Sequence, residues 1–120
     1  MQKYIEIKNA TIMEFYIKMY KNFRDGYPWG SYLCLGILLL DNQNHNIKLE
    51  QKIGYDDEKN IINSLLSICK VDSTDSIKNT NVRVACKDEK AIAIGDERSW
   101  LLFNNNSFIQ TVSENKLIHY

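Results

Sequence analysis

The longest apolar run of the chain lies in the stretch Ser31-Tyr32-Leu33-Cys34-Leu35-Gly36-Ile37-Leu38-Leu39-Leu40-Asp41. Apolar residues do not alternate with polar ones in this run, which predicts a strand buried on both faces of a sheet. The polar residues 41–46 predict a loop after it. Ile47, Leu49 and Ile53 alternate with charged residues, which predicts a half-exposed strand. The centre of the fold is therefore predicted to be a β-sheet.

The segment before this run, residues 3–23, fits two periodicities. Ile12, Phe15, Tyr16 and Met19 follow the spacing of one helix face, whereas a ladder of alternate residues fits a strand: Thr11, Met13, Phe15, Ile17 and Met19. The aromatic and β-branched content favours the strand. Residues 24–28 contain an Asp-Gly pair, which predicts a turn that leads this long strand into the next one.

The helix signal is strongest at residues 56–70. Asp56 is a suitable N-cap, and the acidic residues 57–58 favour the positive end of the helix dipole. An apolar stripe then follows at helical spacing: Ile61, Ile62, Leu65, Leu66 and Cys69. A short second helical turn is predicted from Asp72 or Ser73 to about Ile77.

The remaining segments predict further strands. Residues 82–86 and 91–94 read as a hairpin around 87–90, and residues 100–103 and 108–112 as short strands around a polar loop at 104–107. No internal repeat or linker is visible. The sequence therefore predicts one α+β domain over residues 1–120, an antiparallel sheet with one main amphipathic helix at about 56–70.

Charge and cysteine content exclude several classes of protein. The chain has 15 Lys+Arg against 15 Asp+Glu, whereas a general DNA-binding protein needs a basic surface. No apolar stretch approaches the roughly 20 residues of a membrane span, and no signal peptide is recognisable, so a soluble intracellular protein is expected. Cys34, Cys69 and Cys86 are expected to be buried thiols, because their spacing suits neither a disulfide framework nor a zinc site.

Little in the sequence suggests catalysis. His45 lies in the polar loop and His119 is the penultimate residue, so neither is expected to be a fixed general base. Glycine-rich phosphate-binding motifs are absent, and the acidic run 56–58 is explained by helix capping. No catalytic residue, metal site or cofactor is therefore predicted.

The arginines suggest a binding site. Arg83 stands between Val82 and Val84, so on a strand it lies on the face opposite to theirs, and Arg98 precedes Ser99-Trp100. A guanidinium can hold a phosphate through two parallel hydrogen bonds, and a nearby ring can stack on a base. The alternative is a solvated Arg83 and a Trp100 that belongs to the core.

An ordered series of short motifs over residues 5–103 resembles a group of small phage-encoded proteins, the anti-Thoeris sponges. The motifs are Ile7-Lys8-Asn9-Ala10-Thr11-Ile12, the Asp-Gly turn, the helix 61–71, the acidic turn 72–77, Val82-Arg83-Val84, Ala93-Ile94-Gly95 and Trp100. The chain departs from the family pattern at the 24–28 turn, at residues 29–32, and at Ser73 or Thr74, where the family has a tryptophan.

The resemblance implies a protein of the host cytoplasm that sequesters a nucleotide immune signal without catalysis. The ligand would be an ADP-ribose derivative such as cyclic ADP-ribose, or a cyclic oligonucleotide. The protein would be a homo-oligomer, a dimer or hexamer. Tyr55, Arg83 and Trp100 match the family pattern, and together with Arg98 they are the expected ligand-binding residues. An alternative from another class is an inhibitor of a host defence complex, similar in kind to an anti-CRISPR protein, that binds through the aromatic residues of 15–32.

Overall fold

The computed structural model describes residues 5–24, 26–88, 90–103 and 109–118. It contains seven strands: β1 Ile5–Arg24, β2 Tyr27–Asp41, β3 Asn46–Ile53, β4 Asn81–Lys87, β5 Lys90–Gly95, β6 Ser99–Phe103 and β7 Ile109–Ser113. Two α-helices are present in these residues, α1 Glu58–Cys69 and α2 Glu114–Ile118, together with 3-10 turns at Tyr55–Asp57 and Thr74–Ser76. The predicted α+β fold with an antiparallel sheet and one main helix is confirmed.

The long strand β1 is shared by two halves of the sheet. The strand order is β3-β2-β1-β4-β5-β6-β7, and every described pairing is antiparallel. Residues 10–24 of β1 pair with β2, whereas residues 5–11 pair with β4. The edge strand β3 also contacts β5. The sheet is therefore rolled, with an inner face that encloses the main core and an outer face.

A β-bulge in β1 corrects the single ladder expected for residues 11–19. The register against β2 shifts between Ile12 and Glu14, so Met13 is the extra residue. Ile12 is fully buried and Met13 is exposed. Phe15 packs in the same core as Ile12. The prediction that one ladder places Thr11 and Phe15 on the same side was therefore wrong, because an inserted residue reverses the alternation of side chains.

The inner face carries the main core. Four alternate residues of β2, Leu33, Leu35, Ile37 and Leu39, pack there with Ile61, Leu65 and Ile68 of α1. Residues 33–37 are all buried, as the run without alternation predicts. On the outer face Tyr16 lies directly over Gly36, where a Cβ atom would overlap the ring.

Both helical predictions need only small corrections. The main helix begins with the 3-10 turn, and Asp57 rather than Asp56 is the N-cap of α1, without a side-chain capping bond. The helix ends at Cys69 and is capped by Lys70, which has φ of 58° and whose N–H donates to the carbonyls of Leu66 and Ser67. The second helical turn is confirmed at Thr74–Ser76.

The helix α2 covers the outer face near β6 and β7 and was not predicted. A local signal for it exists, because the Ser113 hydroxyl accepts the N–H of Lys116 at 3.3 Å in the manner of an N-cap. None of the described helices is long and apolar enough to cross a membrane. The predicted loop 104–107 and His119 lie outside the described residues, as does Asp25 of the predicted 24–28 turn, in which Gly26 has φ of 82°.

Candidate functional site

A pocket of about 430 Å³ opens where β2 and α1 end and where β4 begins. Its floor is apolar, formed by residues such as Ala10, Leu40 and Val82, and its rim is polar. Amide and hydroxyl groups come from Asn9, Thr11, Asn42 and Asn81, and charged groups from Asp41, Lys70, Arg83, Asp96 and Glu97. An apolar cavity with a few converging polar groups is the usual form of a small-molecule site.

Arg83 is held in place on three sides. Its Nη1 donates to the carbonyl oxygen of Asp96 at 3.2 Å, and its Nη2 lies 2.7 Å from Oε1 of Glu114. The guanidinium carbon stands 5.0 Å from the centre of the Trp100 ring, within range of a cation–π interaction. The side chain of Arg83 is 30% exposed to solvent. The guanidinium of Arg83 is therefore oriented by its neighbours on the outer face and is partly exposed, and Arg83 is also one of the residues that line the pocket.

Trp100 lies beneath Arg83 and does not line the pocket. Its side chain is fully buried on the outer face, in a cluster with Ala93, Leu102 and Leu117. The indole Nε1 has no hydrogen-bond partner among the described residues. This burial agrees with the alternative that Trp100 is a core residue, and the contact with Arg83 shows how that core residue orients a charged group.

The turn between β5 and β6 brings further charges to the same rim. Oδ1 of Asp96 accepts the N–H groups of Arg98 at 2.7 Å and Ser99 at 2.9 Å. Burial raises the pKa of Asp96, but these hydrogen bonds together with the nearby charge of Lys70 outweigh it, and the resulting pKa is lowered. The side chain of Arg98 is exposed beside this turn. The ion pair between Lys70 and Glu97, 2.8 Å long, lies at the rim as well.

Tyr55 lies at the other end of the sheet. Its hydroxyl is hydrogen bonded to that of Ser31, at the start of the region where β2 meets β3. Ser31 and the pocket residue Asp41 are ten positions apart on one strand, which corresponds to roughly 33 Å. Of the four predicted ligand-binding residues, only Arg83 lines the pocket. Arg98 follows the lining residues Asp96 and Glu97 with an exposed side chain, and Tyr55 lies far away within the same chain.

Asp41 is a buried carboxylate that sequence reasoning missed. Its Oδ1 accepts the N–H groups of Gln43 at 2.9 Å and His45 at 2.8 Å. The hydrogen bond from His45 lowers the pKa of this carboxyl, and burial opposes that change only in part. Its Oδ2 has no hydrogen bond, with Nζ of Lys8 at 3.7 Å and Nδ1 of His45 at 3.4 Å. The polar turn directly after an apolar strand was the available signal.

The acidic and histidine side chains in the described ranges do not form a metal site. No group of three or more His, Cys, Asp or Glu residues with suitable placement is found there. His45 is exposed, and Asp56 and Asp57 lie in the 3-10 turn at the start of the main helix.

A second exposed feature is a two-stranded arm. Because β3 pairs with β2 only from Leu33 onwards, residues 20–24 and 27–32 extend beyond the rest of the sheet as a hairpin, which we call the arm. Large apolar side chains are exposed on it and at its base: Phe23 at 63%, Tyr27 at 75% and Met19 at 61%. Exposed apolar groups in such proximity are typical of interaction surfaces.

Comparison of the chain with protein-family models, curated proteins and solved structures gives no match. The resemblance to the anti-Thoeris sponges stays a prediction from short motifs.

Proposed function

We propose that this chain is a non-catalytic binding protein that sequesters a nucleotide immune signal of the cyclic ADP-ribose type in the pocket beside Arg83. The proposal includes action in the host cytoplasm, as part of phage counter-defence, and a homo-oligomeric state. The observation that carries it is that Arg83 lines the pocket and has a partly exposed guanidinium, which Trp100, Glu114 and the Asp96 carbonyl hold in one orientation. A positively charged group fixed before the ligand arrives loses little conformational entropy on binding.

The size and lining of the pocket support a nucleotide of this type. A volume of about 430 Å³ falls in the range of small-molecule sites. Arg83 and Lys70 line the pocket and provide cations for the phosphates, and Arg98 follows the lining residues Asp96 and Glu97 in the same turn. Asn9 and Asn81 offer amide groups to a base or to a ribose hydroxyl.

Glu114 limits how strongly a phosphate can bind. Its carboxylate occupies the Nη2 side of Arg83 at 2.7 Å, so a phosphate must share or replace that contact. Asp96 and Glu97 add negative charge nearby. Binding of the phosphates therefore weakens the ion pair of Arg83 with Glu114 and is opposed by the nearby carboxylates. Most of the affinity then comes from the base and ribose contacts in the pocket.

Isothermal titration with cyclic ADP-ribose, linear ADP-ribose and a cyclic dinucleotide tests the proposal. We expect one of them to bind and Arg83→Gln to weaken binding about tenfold or more, since hydrogen bonds to charged groups contribute about 1.5–3 kcal/mol. Lys59→Gln, which removes an exposed positive charge from α1, is the matched control and is expected to bind normally. No binding of any of the three ligands rejects the proposal.

Binding to a protein of a host defence complex is a second candidate, favoured by the exposed Phe23 and Tyr27 of the arm. Purification from infected cells is then expected to yield a stoichiometric protein complex that is lost with the Phe23→Ser/Tyr27→Ser double variant. Retention of the complex by that variant contradicts this candidate.

A further inference from the structure

Among the described strands, none pairs with one side of β1 over residues 14–24. Residues 14–24 pair with β2 on one side, whereas β4 pairs with β1 only at residues 5–11 and Thr80 bonds to Ile12. In the part of the chain that the structure describes, no strand pairs with the other side of Glu14–Arg24, which we call the free edge. A long strand edge of this kind presents backbone N–H and C=O groups that can pair with another chain.

The sequence of the free edge is complementary to itself in one register. In an antiparallel pairing of two copies about a two-fold axis, the residue numbers of every opposed pair add up to the same value, which defines the register. Opposed side chains lie on the same face of the joined sheet, and this is possible only if that value is even. With a sum of 38, all eleven residues of the edge find a partner. Glu14 then opposes Arg24 of the second copy, Phe15 opposes Phe23, and Met19 lies on the axis.

Neighbouring registers are worse for reasons that the residues make clear. A sum of 36 places Lys18 opposite its own copy, and like charges directly opposed destabilise a sheet. A sum of 40 moves the partner of Glu14 beyond the end of β1. The register with a sum of 38 instead forms the pair of Glu14 and Arg24 twice and the aromatic pair of Phe15 and Phe23 twice.

We infer that the free edge pairs with the free edge of a second copy of this chain, antiparallel and centred on Met19. This pairing joins the two sheets and covers Met19 and Phe23, which are 61% and 63% exposed in one copy. It specifies the homo-oligomer of the proposed function, on which its biological role rests, but it uses no pocket residue.

A charge exchange tests this register. Within one chain Glu14 and Arg24 are ten strand positions apart, roughly 33 Å, and cannot contact each other. Sedimentation equilibrium is expected to show a dimer of the 14.0 kDa chain. We expect Glu14→Arg and Arg24→Glu each to weaken it about tenfold, since two symmetric pairs are disrupted, and the double variant to restore it. Asp75→Arg and Lys59→Glu are controls of the same charge change on exposed residues of other elements.

Cysteine cross-linking tests the position of the axis. Opposed residues of antiparallel strands have Cα atoms about 4.5–5.5 Å apart, a distance that a disulfide spans. Met19→Cys is therefore expected to form a disulfide-linked dimer on mild oxidation. Lys18→Cys is not, because the two copies of residue 18 are about 8 Å apart in this register. The native cysteines are buried and do not compete.

Three results would overturn the inference: a monomer at every concentration, single charge reversals that leave the dimer unchanged, or cross-linking at residue 18 in preference to residue 19. A hetero-complex through the arm with no self-association is a further contrary outcome. Ligand binding and its loss in Arg83→Gln are measured separately, so failure of the dimer and failure of the nucleotide proposal are distinguishable.

Discussion

Gly95→Ala connects the packing of the chain to the candidate site. A Cβ atom at residue 95 would lie 2.5 Å from Cδ2 and 2.7 Å from Cε3 of Trp100, and 2.6 Å from the carbonyl oxygen of Ser99. Ordinary carbon contacts are about 3.5–4.0 Å, so one partner must move by about 1 Å. Trp100 is fully buried and the Ser99 oxygen belongs to the backbone, so neither moves freely.

We expect Gly95→Ala to lower the free energy of unfolding by about 3 kcal/mol, the upper part of the range for overpacked cores. With a urea m-value of about 1.5–2 kcal/mol per molar, the midpoint then falls by about 1.5–2 M. Displacement of Trp100 also moves the ring on which Arg83 rests, so the near-ultraviolet circular dichroism of the folded variant is expected to change.

Two other glycines are controls for this prediction. An alanine Cβ at Gly30 would meet only Nδ2 of Asn22, at 3.9 Å, so Gly30→Ala is expected to be neutral or to stabilise by about 0.5 kcal/mol. Gly26 has open space but φ of 82°, so Gly26→Ala is expected to cost about 1 kcal/mol of backbone strain. A Gly95→Ala protein within 0.5 kcal/mol of the wild type would refute the reasoning.

Three further predictions follow from the charged and thiol groups. Glu114→Gln removes the carboxylate beside Arg83, so the affinity for an anionic nucleotide, measured by isothermal titration, is expected to rise severalfold. Weaker binding would contradict the competition between Glu114 and a phosphate for Arg83. The pKa of Asp41 is lowered in the folded state, so its stabilising contribution is present above the unfolded pKa near 4 and is lost as the pH falls through the folded pKa. In urea unfolding, the free energy of unfolding is expected to fall less between pH 7 and pH 3 for Asp41→Asn than for the wild type. An equal fall in both proteins would exclude Asp41 as a source of the pH dependence. Burial raises the pKa of the thiols of Cys34, Cys69 and Cys86. Ellman's reagent is therefore expected to react slowly with the native protein and to label three thiols per chain in urea. Rapid labelling of the native protein would contradict the burial of these thiols.

The fold class could be predicted because the local patterns agree with the final packing. The unbroken apolar run at 31–41 became a strand with a buried centre, and the stripe from Ile61 to Cys69 became the helix over the inner face. The bulge at Met13 could not be predicted, because a single inserted residue depends on how β1 divides its pairing between β2 and β4. The helix α2 is five residues long, too short for periodicity to show.

The site was predicted only in part. The alternation of Val82, Arg83 and Val84 places the guanidinium opposite their face, and the structure agrees, with Trp100 on that same outer face. The distance to Tyr55 depends on strand lengths and register, which the residues around Tyr55 do not reveal. Asp41 was missed because its role arises from hydrogen bonds of the turn that follows it.

The sharing of β1 between two half-sheets has a consequence for synthesis on the ribosome. The hairpin of β1 and β2 is local and can form as soon as Asp41 has emerged. Ile5 pairs with Lys87, so residues 5–9 have no partner strand until β4 has been synthesised. Until then residues 5–9 have no partner strand on the β4 side and residues 10–24 are paired with β2 alone, so one edge of the nascent hairpin is open to other chains.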